Sequence, residues 1–233
     1  MIKAVVFDLD DTLTPEIDYV RSGFRHLSVP LATKLNLSAE KVYTILIELF
    51  LEDSRLVFNR LFERVSMPYS NDDIVELVES YRDHIPAIHF YDDVFPCLKE
   101  LRDKGVKTGI ITDGYATAQR NKLRVLNADQ YFDHIIVTDE LGKEYWKPHP
   151  LAFELMRDRL EVEFYEMMYV GDNPCKDFYI SQVYPIKTVR IDRNGLYCDS
   201  PYLHGIREDF LIESFSGLAL INRESGVVTW GTT

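Results

Sequence analysis

Strand-like runs recur along the chain at Ile2 to Phe7, Val106 to Ile111, His134 to Val137, Met167 to Val170, Ile186 to Ile191 and Phe210 to Ile212. From residue 94 onward they mostly alternate with helical patterns. That alternation predicts an α/β fold, a parallel sheet whose strands are joined by crossover helices. The stretch Ala4-Val5-Val6-Phe7 is apolar at every position, as expected of a parallel strand buried on both faces. Open sheets of this kind bind ligands at the carboxyl ends of their strands, so the residues that follow each run are the ones to read for chemistry.

After the first run come Asp8-Leu9-Asp10-Asp11-Thr12-Leu13. Alternate positions of a strand share a face, which points Asp8 and Asp10 the same way, and two like charges that close need a counter-ion. Oxygen ligands of this type suit Mg2+. After the second run, Thr112-Asp113-Gly114 leads into a helical pattern from Tyr115 to Leu126. A hydroxyl and free backbone N–H groups at a helix entrance make an anion pocket. Lys147-Pro148-His149-Pro150 precedes the helical segment Leu151 to Leu160. The prolines stiffen this approach, so that Lys147 can lean into the site, neutralise phosphate charge and balance Asp8, with His149 a loop residue. The run Met167 to Val170 ends in Gly171-Asp172-Asn173-Pro174-Cys175-Lys176-Asp177. It supplies Asp172 as an acidic ligand at the same sheet edge as Asp8, while Asp177 is placed to act through water or by orienting its neighbours. Each piece alone also fits a plainer role, as an acidic turn, a helix cap or a solvated lysine. Four suitable loops in order are hard to explain that way.

The segment from Pro15 to Phe90 differs, carrying no convincing strand. Ala39 to Val65 is apolar at helical spacing through Val42, Ile45, Leu46, Leu49, Leu56, Leu61 and Val65. Ser70 to Asp73 offers an N-terminal capping pattern, after which Ile74, Leu77, Val78 and Tyr81 form one helical face. The expectation is an α/β core domain made of residues 1–14 and 91–233, interrupted by a small all-helical domain over residues 15–90. After the insert, Val94, Leu98 and Leu101 predict a short amphipathic helix ended by Gly105. Arg223 to Thr233 show no clear pattern and read as a loose tail.

A formal charge of -12 repels nucleic acid and anionic membrane surfaces as main partners, so an anionic substrate has to be drawn by local positive charge. No stretch reaches the length of a membrane span. Cys97, Cys175 and Cys198 are odd in number and widely spaced, which fits reduced thiols better than a disulfide frame or a zinc site. Met1-Ile2-Lys3 runs straight into the first strand without a basic and apolar leader. Together these features lead to the expectation of a cytoplasmic protein.

The four chemical pieces, in this order, resemble the haloacid dehalogenase-like hydrolase superfamily, in particular its phosphatases with a helical cap inserted after the first strand. The resemblance covers nearly the whole chain. It matches Asp8, Asp10, Thr12 and Leu13 to the first motif, Thr112 with Asp113 and Gly114 to the second, Lys147 to the third, and Asp172 with Asp177 to the fourth. It implies a Rossmann-like parallel sheet of order 5-4-1-2-3 with helices on both faces and a cap closing over the site. It further implies that Asp8 is the nucleophile that takes the phosphoryl group as an aspartyl phosphate. Asp10 is then the acid for the leaving oxygen and later the base for water. By the same resemblance the Asp8 carboxylate, the Asp10 backbone carbonyl and Asp172 hold Mg2+, while Thr112, the amides near Asp113 and Gly114, and Lys147 cradle the phosphoryl oxygens. The family usually carries Asn where this chain has Asp113, so the resemblance implies a backbone contact from Asp113 and does not extend to a side-chain one.

The expected activity is hydrolysis of a small phosphorylated metabolite, with Arg21, Arg25, Arg55, Arg60 and Arg64 of the helical insert as candidate substrate selectors. Haloalkanoate dehalogenases of the superfamily usually lack a counterpart of Asp10, since no oxygen leaving group needs a proton. Its phosphonate hydrolases use a cap lysine, and Lys34 and Lys41 have no neighbour in sequence that would suit them to imine chemistry. A sugar phosphomutase shares both aspartates and is the nearest alternative. A non-catalytic interaction module with the same fold is the other.

Overall fold

The computed structural model describes residues 1–218, so the expected tail 223–233 lies outside the described residues. Each run named above becomes a strand: β1 (Ala4–Phe7), β2 (Lys107–Thr112), β3 (His134–Val137), β4 (Met167–Gly171), β5 (Lys187–Ile191) and β6 (Phe210–Ile212). All pairings are parallel, and the order across the sheet is β3-β2-β1-β4-β5-β6. The order 5-4-1-2-3 implied by the resemblance is present, and β6 extends it beyond β5.

Three helices connect these strands: α5 (Val94–Asp103), α6 (Ala116–Val125) and α7 (Leu151–Leu160), numbered after four earlier helices described below. Val6, Ile111, Ile136 and Tyr169 share a buried cluster with Phe153, Met156 and Leu160 of α7. Gly109 makes that packing possible, because a Cβ there would lie 2.7 Å from Met156 Sδ. Phe7 is offset by one position from Val6 and turns to the opposite face, where it meets Phe132 and Phe215 edge-on with ring centres 6.0 and 5.5 Å away. Helix α5 stops as expected at Gly105, whose φ of +67° lets Val106 N–H return to Leu101 O at 2.9 Å.

Contacts divide the chain into two compact units, one of Met1–Glu16 with the residues from His89 onward, the other Ile17–Ile88. The second unit is built from α1 (Glu16–Leu35, whose first residue belongs to the first unit), α2 (Ala39–Glu52), α3 (Val57–Arg64) and α4 (Asn71–Asp83). Its core joins Phe24, Leu27 and Leu31 of α1 to Val42, Leu46 and Leu49 of α2 and to Phe58, Leu61 and Phe62 of α3. The capping pattern forms in full: Ser70 Oγ accepts Asp73 N–H, and the Asp73 carboxylate accepts Ser70 N–H.

Apolar spacing runs unbroken from Ala39 to Val65, yet the chain breaks there into α2 and α3. The Asp53 carboxylate accepts Arg55 N–H at 2.8 Å, and Leu56 adopts a φ of 52° with 71% of its surface exposed. A short acidic side chain that bonds two residues ahead offers the backbone an alternative to the helix. The five arginines considered as selectors are all engaged inside this unit. Arg21 meets Asp18, Arg25 stacks on Tyr43, Arg55 meets Asp53, and Arg60 and Arg64 converge on Glu52.

Among the described residues no helix is long and apolar enough to cross a membrane. The thiols of Cys97, Cys175 and Cys198 are free.

Candidate active site

Asp8 directly follows β1, and its N–H still joins the ladder by donating to Val170 O at 2.8 Å. Its position at the strand end is therefore set by sheet register rather than by a flexible loop. Lys147, carried in ahead of α7 on a cis Lys147–Pro148 peptide, places its ammonium 2.9 Å from Asp8 Oδ1 and 2.9 Å from Asp177 Oδ1. It also donates to the Tyr169 hydroxyl at 2.7 Å, and that hydroxyl donates to Asp177 Oδ1 at 3.2 Å. All four side chains are buried. Burial opposes the charged form of Lys147, but the charges of Asp177, Asp8 and Asp113 outweigh it and hold the ammonium above its ordinary range. Burial pushes the Asp8 carboxyl up to about 6 against the pull of Lys147 and Lys176.

Asp172, at the end of β4, completes an acidic cluster with Asp8 and Asp177, in which one oxygen of each lies within 4.8 Å of the others. Burial raises the Asp172 carboxyl well above its ordinary value, and the charges of Asp177 and Asp8 add to that. Asp8, Asp172, Asp177 and Asp113 outnumber the ammonium groups of Lys147 and Lys176 and leave an excess of negative charge, and the donors of the cluster are all hard oxygens. This donor set fits a divalent cation such as Mg2+. Asp177 also accepts Asn173 N–H at 2.9 Å, which folds the acidic loop back on itself. Gly171 leaves the space for this, since a Cβ there would lie 2.5 Å from Asp177 Oδ2. Gly171→Ala is expected to displace Asp177, destabilise the protein by about 1–3 kcal/mol and weaken cation binding, measurable by urea unfolding with and without Mg2+.

The Asp10 side chain lies apart from that acidic cluster. Lys122 Nζ reaches Asp10 Oδ1 at 2.6 Å and Gln119 Nε2 reaches Oδ2 at 2.9 Å, both from α6. Gln119 Nε2 also contacts Thr112 Oγ1 at 2.5 Å, so Thr112 adjoins Asp10 across one amide. Asp11, at φ 51°, accepts Glu16 N–H at 2.9 Å and Leu196 N–H at 3.0 Å, anchoring the turn after β1. Thr12 and Leu13 are fully buried beneath it.

Asp113 is committed to protein partners. Its Oδ1 accepts Thr138 Oγ1–H at 2.8 Å and Lys147 N–H at 3.0 Å, while Oδ2 meets the Lys176 ammonium at 3.0 Å. Burial disfavours its ionised form, but Lys147 and Lys176 overcome this and leave its carboxyl below the ordinary range. Both oxygens of the Asp113 side chain are thus engaged within the protein. Gly114 follows at φ +125° with its backbone against the Gln119 side chain.

Of the residues singled out from sequence, Asp8, Lys147, Asp172 and Asp177 come directly together, Asp113 joins them through the Lys147 backbone, and Thr112 lies beside Asp10. Sequence reasoning misses Gln119, Lys122, Tyr169 and Lys176. The sole available signal is three-residue spacing, which puts Gln119 and Lys122 on one face of α6, and polar residues on a helix ordinarily mark its solvent side.

Comparison with known proteins agrees with this fold. Residues 2–177 match the family model described as haloacid dehalogenase-like hydrolase. A glyceraldehyde 3-phosphate phosphatase of Methanopyrus kandleri is 34% identical over 206 residues, covering 85% of this chain and 87% of that protein. The pyrophosphatase PpaX of Bacillus cereus is 25% identical, covering 93% of this chain and 94% of that protein. Among solved structures, a HAD phosphatase from Thermococcus onnurineus superposes with a TM-score of 0.62 at 28% identity, over 94% of this chain and 97% of that one. With the family model matched over most of its length and the sheet order in agreement, the chain belongs to the haloacid dehalogenase-like hydrolases.

Proposed function

We propose that the protein is a Mg2+-dependent phosphomonoester hydrolase that acts on a small phosphorylated metabolite through an aspartyl phosphate at Asp8. The observation that carries this reading is the Lys147 ammonium held 2.9 Å from both Asp8 and Asp177 beside Asp172. A nucleophile, a fixed positive charge and a cation-binding donor set then share one strand-end site. The relatives named for glyceraldehyde 3-phosphate and pyrophosphate hydrolysis support a small anionic phosphate as the substrate class.

In this reading an Asp8 oxygen forms a bond to phosphorus while the ester P–O bond breaks, and Asp10 passes its proton to the departing oxygen. Water then attacks the phosphoryl group and gives its proton to Asp10. The Asp8–phosphorus bond breaks, and both carboxyl groups return to their starting state. Lys147, Thr112 and the backbone amides at Asp113 and Gly114 receive the phosphoryl oxygens. Asp8, Asp172 and the Asp10 backbone carbonyl hold Mg2+, with Asp177 acting through water or by orienting Lys147 and the Asn173 loop. Bound there, Mg2+ neutralises charge that builds on the phosphoryl oxygens. Residues 15–90 serve as the cap domain that selects the substrate, and the enzyme works in the cytoplasm.

The test is turnover of a panel of phosphorylated metabolites by the purified protein, with Mg2+ and with excess EDTA. Loss of about 100-fold or more in EDTA, restored by Mg2+, is expected, in line with a metal that stabilises transition-state charge by several kcal/mol. Rates indifferent to the metal would refute the reading. A best substrate that turns over only with a bisphosphate primer would assign a mutase instead. Binding should also depend on pH. Protons compete with the cation for Asp8, at about 6, and for Asp172, which is raised well above its ordinary value. The gain in Tm from Mg2+ is therefore expected to be larger at pH 7.5 than at pH 5.5, as measured by calorimetry.

A further inference from the structure

The geometry points to Lys122 and Gln119 as positioning residues that hold the Asp10 carboxyl group in place for proton transfer to the leaving group. This inference rests on the role proposed for Asp10. Both residues project from one face of α6 and are almost fully buried, at 3% and 2% exposure. Burying an ammonium is costly unless it is paired, and Lys122 meets Asp10 Oδ1 at 2.6 Å.

Gln119 completes the arrangement. Its single amide nitrogen lies 2.9 Å from Asp10 Oδ2, 2.5 Å from Thr112 Oγ1 and 2.9 Å from Asp113 O. It therefore ties the turn after β1 to the turn after β2. A side chain at position 114 would come 3.2 Å from Gln119 Cδ, so the glycine there accommodates the amide. With each of its oxygens held by a different donor, Asp10 cannot rotate freely about its side-chain bonds. Proton transfer demands heavy-atom distances near hydrogen-bond length, and fixing a reacting group in such an orientation removes an entropic share of the barrier.

A residue that acts through Asp10 matters most where the leaving oxygen most needs a proton. Phenyl phosphate has a poorer leaving group than p-nitrophenyl phosphate, and kcat/KM reports the step in which that group departs. The experiment compares kcat/KM for both esters, with Mg2+, in the parent and in Lys122→Met, Lys122→Arg, Gln119→Leu and Asp10→Asn. Lys122→Met is expected to lower kcat/KM for phenyl phosphate by about 100-fold but for p-nitrophenyl phosphate by only about tenfold or less, within the range general acid catalysis supplies. Lys122→Arg should recover most of the loss, and Gln119→Leu should show the same leaving-group bias more weakly. Equal losses on both esters, or none, in Lys122→Met would overturn the inference while leaving the role of Asp10 intact. Absence of the bias in Asp10→Asn would instead overturn the reading of Asp10 as the acid, and this inference with it.

Discussion

Asp8→Asn is expected to abolish turnover, lowering kcat by about four orders of magnitude or more, because an amide cannot replace the carboxylate that accepts the phosphoryl group. The fold should survive the change. Asp8 is buried, its carboxyl is raised to about 6, and the Lys147 ammonium keeps Asp177 as a partner when Asp8 becomes neutral. A carboxyl whose folded value is raised binds its proton more tightly in the folded state, so its contribution to stability is present at low pH and drains away as pH rises through about 6. Neutral Asn avoids that loss, and Tm at pH 7.5 without metal should be unchanged or higher than in the parent. Activity lost with Tm preserved identifies the nucleophile, whereas activity retained would place the chemistry elsewhere.

Lys147→Met is expected to be the most destabilising single change at the site. It leaves Asp8 and Asp177, both buried, without the ammonium that lies 2.9 Å from each. Removing one partner of a buried ionic cluster typically costs about 3–5 kcal/mol. The cost has a pH signature whose sign follows from Asp8. Without the ammonium its carboxyl, already at about 6, moves higher, and the folded state holds the proton more strongly still. Urea unfolding should therefore show a larger deficit at pH 7.5 than at pH 5.5. A deficit independent of pH would mean that lost packing against Tyr169, rather than lost charge balance, governs the effect. Turnover should fall at both pH values.

The central strands are legible in the sequence because a strand buried on both faces leaves a short apolar run, as Ala4 to Phe7 and Met167 to Val170 do, while Lys107 to Thr112 and Lys187 to Ile191 show instead as β-branched residues set among polar ones. The chemical loops are legible because Asp8, Thr112, Lys147 and Asp172 directly follow such runs or precede a helix. Apolar periodicity says less about where helices stop. It passes through Asp53 to Leu56 without a mark, since the break is made by one carboxylate bonding its own backbone. Helix α1 is obscured for another reason, since Pro30 within it ordinarily marks a helix end. The residues that organise Asp10 are hidden for a different reason. Gln119 and Lys122 are polar residues on a helix whose buried side becomes evident only when the turn after β1 is seen beside it. Lys176 stands between Cys175 and Asp177, where nothing in the local pattern marks it as the partner of Asp113.

The Asp113–Lys176 pair constrains how this molecule can drift. A neutral amide at position 113 would present its NH2 group to an ammonium, and a neutral residue at 176 would deprive a carboxylate whose side chain is only 5% exposed of its ion-pair partner. Either single step is unfavourable on its own. Descendants of this chain should therefore gain or lose the two charges jointly, and a designer who restores asparagine at 113 should expect to change 176 in the same move.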